Sequence, residues 1–326
     1  MKRRRMVGLV ILIVLLILVT SCARDRVPEQ RPAPEMVRLK IPESISRGQG
    51  KEPVLKVYVK ETGDIKELPF EEYLQGVVAG EMKNDWPEEA LAAQAILART
   101  FVMEFVSKKG GSKYEGAHVS TDIEEAQAWN QQAVNDRVKK AVERTRGEVA
   151  IHNNNYIKAW FHAHAGGMTA SAKEGLAFEE DEPPYIKVTK SPDSPEAPED
   201  DSNWTVSFSN QEVMQVLGDM DKEVKEIRTA KVGKKGPSGR AITLKFDGME
   251  VSAPEFRIAI DSTKMKSTLI DSMEAGGGKL TIKGRGYGHG VGMSQWGAYA
   301  LAKDGKKAEE IVEYYFEGIE IVKAWE

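Results

Sequence analysis

The stretch from Ala90 to Val106 constrains this 326-residue chain more than any other. Five of its seventeen residues are alanine, and Leu91, Ala95, Ala98, Val102 and Phe105 fall on one stripe at helical spacing. In front of it stand Asp85 and Pro87-Glu88-Glu89. A proline in the first turn of a helix sacrifices no hydrogen bond, and acids there face the positive end of the helix dipole. Side chains this narrow allow very close approach, so the spacing predicts a helix over 90–106 packed tightly by its neighbours. Hydrophobic residues make up 41% of the chain and charged residues 29%, which supplies a buried core and argues against wholesale disorder.

Other elements can be placed around that helix. Val54 to Lys60 alternates apolar and polar, and Thr62-Gly63-Asp64 turns the chain into Ile65 to Leu68, which predicts a hairpin. Pro69 with Glu71-Glu72 starts a short helix ending near Ala79. Asn130 is expected to cap a third helix through Val134, Val138 and Val142 that stops at Gly147. Glu148 to Ile151 and Tyr156 to His162 read as a second hairpin. The acidic, proline-rich stretch 179–203 marks a surface loop or a break between two lobes. Short strands follow at 224–232, 241–246 and 280–283, with a small helix near 254–260. Helices from Met293 and near 308–316 and a strand over 319–322 close the chain. Nothing alternates in regular βα units, so the fold class expected is α+β, with helices and short strands mixed around a cleft.

The amino terminus reads as an export signal. Lys2 to Arg5 precede an uncharged apolar run, Met6 to Val19. As a helix that run spans roughly 21 Å, short of the ~30 Å hydrocarbon core of a bilayer, which suits a signal peptide. Val19-Thr20-Ser21-Cys22 resembles a bacterial lipoprotein cleavage box, in which Cys22 becomes the lipidated first residue. An uncleaved anchor is the other reading, and both leave the rest of the chain extracytoplasmic and tethered to the membrane. Residues 23–53, with Pro28, Pro32, Pro34, Pro42 and Pro53, read as a linker to a domain over 54–326. Net charge is −4, and the first 21 residues hold four basic residues and no acid, so the remainder carries −8. A nucleic-acid binder carries a basic footprint instead, so that class is set aside. The single cysteine excludes an internal disulfide framework and a multi-cysteine metal site.

Three places carry chemistry. In Gly76-Val77-Val78-Ala79-Gly80-Glu81-Met82, a carboxylate follows an apolar run close to Trp86. Burial there raises its pKa and makes Glu81 a general acid near neutrality; the alternative is a solvated glutamate at a helix end. The second is Gly284 to Gln295, with glycine at every second position from 284 to 292. It leaves the backbone bare on one side for a ligand, with His289 as its group titrating near neutral pH and Tyr287, Ser294 and Gln295 beside it. No Lys-Ser/Thr pair follows the glycines, which weighs against a phosphate loop, and His289 is equally readable as a turn histidine. The third is His162-Ala163-His164, two histidines on one face of a strand, which with His289 would make a three-histidine metal site or, separately, ordinary strand-end residues.

Three blocks together resemble the stage II sporulation protein D family, which includes the amidase enhancers of bacterial cell walls. They are Tyr73-Leu74-x-Gly76-Val77-Val78-x-Gly80-Glu81-Met82, then Trp86-Pro87-x-x-Ala90-Leu91-x-Ala93-Gln94-Ala95-x-x-Ala98-Arg99-Thr100, then Gly288-His289-Gly290-Val291-Gly292-Met293-Ser294-Gln295-x-Gly297-Ala298. Gly166-Gly167-x-Thr169 also fits. The resemblance implies a membrane-tethered lytic transglycosylase that cuts peptidoglycan glycan strands during spore engulfment, with Glu81 as the catalytic glutamate and no cofactor. It implies glycan stripped of stem peptides as substrate and a peptidoglycan amidase as partner. Arg99, Tyr287, His289, Ser294 and Gln295 are the candidates for holding substrate, Arg99 alternatively pairing with a carboxylate. Some members bind zinc through cysteines and histidines just before a Cys-Gln-x-aromatic motif. Here Ala126 stands beside Gln127 in place of the cysteine and Ser120 in place of another, so no zinc is expected there.

Overall fold

The computed structural model describes residues 40–326, so the predicted signal, Cys22 and most of the linker lie outside the described residues. From Ile41 the chain is already packed on the domain: Ile45 is buried, Glu71 N–H donates to Glu52, and Arg146 pairs with Glu52. The part of the linker nearest Pro53 therefore belongs to the fold.

The first hairpin joins β1 (Val54–Val59) to β2 (Asp64–Pro69), antiparallel and in the expected register. The chain passes directly into α1 (Phe70–Glu81), then α2 (Glu88–Lys109). The predicted central helix is longer than 90–106 and buried on every side, with fifteen residues inside, rather than on one stripe. Its alanines are the reason: α1, β4 and three later helices all reach it. By length and composition α2 is apolar enough to cross a membrane, yet it is mostly buried within the protein, as an all-round apolar helix in a core must be.

After β3 (Val119–Ser120), which runs parallel to β1, Asn130 caps only a short 3-10 turn over Gln131–Ala133. The helix itself, α3 (Asp136–Arg144), is capped by Asn135, whose side chain accepts from Val138 N–H. One predicted helix is thus two pieces, each with its own asparagine. β4 (Glu148–His152) turns tightly into β5 (Asn155–Tyr156) and also pairs with the carboxy-terminal strand, but β6 (Phe161–His162) leaves that hairpin for another sheet.

The chain then crosses to a second lobe with its own core, around Phe208, Leu217, Leu244, Phe256 and Ile282. Short helices α4 (Ala172–Leu176) and α5 (Glu199–Ser202) lead to it. It comprises β7 (Asn203–Ser209), α6 (Asn210–Asp219), β8 (Ala230–Val232), β9 (Thr243–Phe246), β10 (Met249–Ser252), α7 (Ala253–Asp261), β11 (Ile270–Gly276) and β12 (Lys279–Arg285). Its sheets have the orders β11-β12-β7 and β10-β9-β8. The chain returns to the first core through β13 (Met293–Ser294), α8 (Gln295–Lys303), α9 (Ala308–Tyr315) and β14 (Glu320–Lys323). The fold is α+β, and the second core takes its first residue at Trp204.

A buried node ties the first lobe together. Glu71 of α1 accepts from Arg99 Nε (3.1 Å) and Nη2 (2.6 Å), from Gly147 N–H (3.0 Å) and from Trp325 Nε1 (3.0 Å). Arg99 Nη1 donates to the Glu148 carbonyl at 2.8 Å. Arg99 is fully buried, so it pairs with a carboxylate and does not reach substrate, which corrects its place among the substrate-holding candidates.

Candidate active site

Glu81 is the last residue of α1 and half-buried. Its Oε1 accepts from the backbone N–H of Ala128 at 2.7 Å. Gln295, the first residue of α8, donates from Nε2 to the Glu81 carbonyl at 3.2 Å and lies 3.5 Å from Gln94 Oε1 of α2. Burial pushes the Glu81 carboxyl up to about 7, while the Ala128 amide and the Gln295 side chain favour its ionised form and hold the rise in check. Such a group exchanges a proton readily at neutral pH. Tyr73, two turns back on α1, is fully buried with no hydrogen-bond partner for its hydroxyl among the described residues. Burial, then the charge of Glu81, push its phenol up.

Two glycines on α1 explain how the Ala128 amide gets there. A Cβ at Gly80 would lie 2.7 Å from the Trp129 backbone N, and one at Gly76 would collide with the Trp129 indole. The segment 128–130 fills that small-residue groove, and Asn130 N–H donates to the Gly76 carbonyl at 2.8 Å. Neither Ala128 nor Gln94 was readable as a site residue. The i, i+4 glycine pair ending one residue before Glu81 was the signal for a close neighbour. Beside the site, Trp86, Trp296 and Tyr299 pack ring on ring, with centroids 4.4–5.4 Å apart, and Lys83 Nζ lies 5.6 Å over Trp296.

Of the residues expected to hold substrate, Gln295 is the one that shares hydrogen bonds with Glu81. Ser294 is fully buried: its Oγ donates to Asp193 (2.6 Å) and caps α8 by accepting from Gly297 N–H (3.3 Å). Asp193 also accepts from Ser191 Oγ and Gly167 N–H, binding the 179–203 loop to the start of α8. Tyr287 exchanges backbone hydrogen bonds with His164, and Lys266 lies over its ring. His289 Nδ1 accepts from Val291 N–H at 3.0 Å, and burial drives its pKa down to about 3, so it stays neutral.

The glycine run is not a bare cradle for a ligand. Its open side is filled by the protein itself: the Trp204 ring at Gly284, the His164 carbonyl at Gly286, the His162 side chain at Gly288, the Arg240 guanidinium at Gly290 and the Trp160 carbonyl at Gly292. Arg240 reaches in from the second lobe and donates to the carbonyls of Ala165 (2.6 Å) and Met168 (2.7 Å). The glycines weld the lobes together. Gly290→Ala, at φ +85° and against that guanidinium, is expected to cost about 1–3 kcal/mol, read as a lowered urea midpoint. A midpoint equal to wild type would restore the ligand-cradle reading.

The three histidines do not converge. His162 and His289 have ring centroids 5.7 Å apart, while His164 turns to Gly166 N–H, Asp193 and Ser202. Among the described residues no three His, Cys, Asp or Glu side chains are grouped to hold a metal ion.

The fold is an α+β arrangement with two main hydrophobic cores, in which one half-buried acid, Glu81, lies against the Ala128 segment and Gln295 of α8. Residues 58–152, which include α1, α2 and the Ala128 segment, match a family model described as stage II sporulation protein. Residues 172–292 match one described as a domain of unknown function, DUF8618. The chain is 31% identical to stage II sporulation protein D of Bacillus subtilis (strain 168) over 83% of its own length and 79% of that protein's. It is 32% identical to an uncharacterized protein of Brachyspira hyodysenteriae, over 79% of this chain and 68% of that one. It is 27% identical to the amidase enhancer of Bacillus subtilis, over 75% of this chain but 39% of that protein. The chain belongs to the stage II sporulation protein D family.

Proposed function

We propose that this protein is a peptidoglycan lytic transglycosylase that cleaves stripped glycan strands during spore engulfment, with Glu81 as acid and then base. The observation that carries this reading is the environment of Glu81: half-buried, held by the Ala128 amide, with a pKa of about 7. Hydrolytic glycosidases usually need two carboxylates, one to protonate the leaving oxygen and one to act on C1 or on water. Among the described residues, the groups hydrogen-bonded to Glu81 at the site are the Ala128 amide and the Gln295 side chain, neither of them a carboxylate. One carboxyl suffices when no water is used. Glu81 gives its proton to the glycosidic oxygen as the C1–O bond breaks. The resulting carboxylate takes the proton of the muramyl C6 hydroxyl as O6 bonds to C1, which regenerates the acid and leaves a 1,6-anhydro end. The pKa near 7 serves both half-steps, since each form is abundant at neutral pH. The protein acts outside the cytoplasmic membrane, tethered through Cys22 or an uncleaved amino-terminal anchor, and works beside an amidase that strips the strands.

The similarity to a protein named amidase enhancer favours a second reading, in which the fold grips glycan and stimulates an amidase without cutting. Mass spectrometry of stripped strands after incubation with the protein separates the two. Anhydromuramyl ends, formed equally with a chelator present, are the expected products. Unchanged strands together with a faster purified amidase would make the protein an enhancer.

A further inference from the structure

We infer that Asp122 and Glu125 are positioning residues for Glu81: they clamp the strap of residues 119–130 so that its Ala128 amide rests on the Glu81 carboxylate. This rests on the assignment of Glu81 as the working acid.

The strap leaves β3 and is fastened at both ends. Thr121 N–H donates to the Tyr58 carbonyl, and Lys60 N–H donates to Thr121 Oγ1. Asp122, almost fully buried, takes Lys60 Nζ at 2.6 Å, Lys113 Nζ at 2.9 Å and the Tyr114 hydroxyl at 2.8 Å. Glu125 accepts from Ser112 Oγ (2.6 Å), Ser120 Oγ and Lys113 N–H. Three residues on, Ala128 meets Glu81, and beyond it Asn130 is bonded to Gly76.

This is the stretch in which the zinc-binding members of the family were expected to carry cysteines. The residues here do not fit a metal. Ser120 and Ala126 replace the thiolates, and all four carboxylate oxygens of Asp122 and Glu125 are already taken by cations, hydroxyls or amides. Side-chain ion pairs hold the strap in this chain. The bonds from Lys60, Lys113 and Tyr114 keep Asp122 well below the usual carboxylate range, so this half of the clamp is charged at neutral pH.

The groups facing Glu81 are Ala128 from the strap, Gln295 from α8 and Tyr73 from its own helix. Burial is the largest influence on the Glu81 carboxyl. Lifting the strap removes one amide bond but also admits water, and the second effect wins. The carboxyl then titrates nearer its ordinary range.

Carbon-13 NMR of glutamate side-chain carboxyls in the full-length chain reads this without any substrate. The Glu81 signal is the one missing from Glu81→Gln. Asp122→Asn and, separately, Lys113→Met are expected to lower its midpoint by about one pH unit, which at pH 7 reduces the acid form about fivefold. Glu124→Gln, a change to an exposed side chain in the same loop, should leave it unmoved. A wild-type midpoint in a folded Asp122→Asn or Lys113→Met protein would overturn the inference. A lowered midpoint in these variants, with a wild-type protein that makes no anhydromuramyl ends, would uphold the clamp and refute the lytic reading instead.

Discussion

Glu81→Gln is expected to keep glycan binding and lose glycan cleavage. The amide retains the size of the side chain and an oxygen for the Ala128 N–H, but has no proton to transfer. General acid–base catalysis contributes about 10²–10⁴-fold, and the loss of anhydromuramyl product should be at least that large because one residue serves both half-steps. The same substitution has a thermodynamic signature. Folding raises the Glu81 pKa from 4.5 to about 7, so the folded protein binds the extra proton between those values and loses stability as pH rises through that window. Glutamine removes the dependence. The variant should gain up to about 3 kcal/mol over wild type at pH 8 and nothing at pH 4, measured by urea unfolding. A folded variant that cuts at the wild-type rate would falsify the assignment. Nearby acids behave differently. Glu88 makes one ion pair, to Lys140, and its loss costs little. Glu89 holds Arg144, Lys307 and the Ala308 N–H at once, so the small cost expected of a helix-end acid does not apply to it.

Arg99→Leu is expected to destabilise the fold strongly, because the guanidinium is fully buried on the Glu71 carboxylate. It strands the Glu71 carboxylate inside the protein with Gly147 N–H and Trp325 Nε1 as its remaining bonds and the Arg146 charge, already paired to Glu52, farther off. Removing one partner of a buried ion pair typically costs about 3–5 kcal/mol, since the remaining charge has lost both its water and its counter-ion. Urea unfolding at neutral pH should show that loss, and adding Glu71→Gln to the same chain should restore part of it by removing the stranded charge. A single variant within 1 kcal/mol of wild type, roughly the size of an exposed pair, would mean that Arg99 is not the keystone described here.

The sequence revealed what depends on near neighbours. The first hairpin follows from alternation and a turn, α2 from its alanines and acidic start, and the burial of Glu81 from its place after an apolar run. Misreadings arose where distant segments decide. Alternating glycines announced close approach, but whether a ligand or Arg240 would approach depended on a residue 50 positions earlier in the chain. Asn130 and Asn135 are both sound helix caps, and packing of the strap on Gly76 assigned the longer helix to the second. Helix α6 went unread although its Ser209-x-x-Glu212 capping box was in plain view.

Inserting one lobe inside the other also sets an order of assembly. Glu81 and Ala128 are 47 positions apart, whereas Glu81 and Gln295 are 214 apart. As the chain emerges amino terminus first, the first glutamate partner is available early, but the second arrives only after the whole inserted lobe has passed, and β14 and Trp325 later still. Contacts this distant in sequence form late, because the intervening loop must be closed before they repay its entropy. The acid therefore acquires its completed surroundings among the last steps of folding, and a chain cut short before α8 holds the glutamate without the environment that arms it.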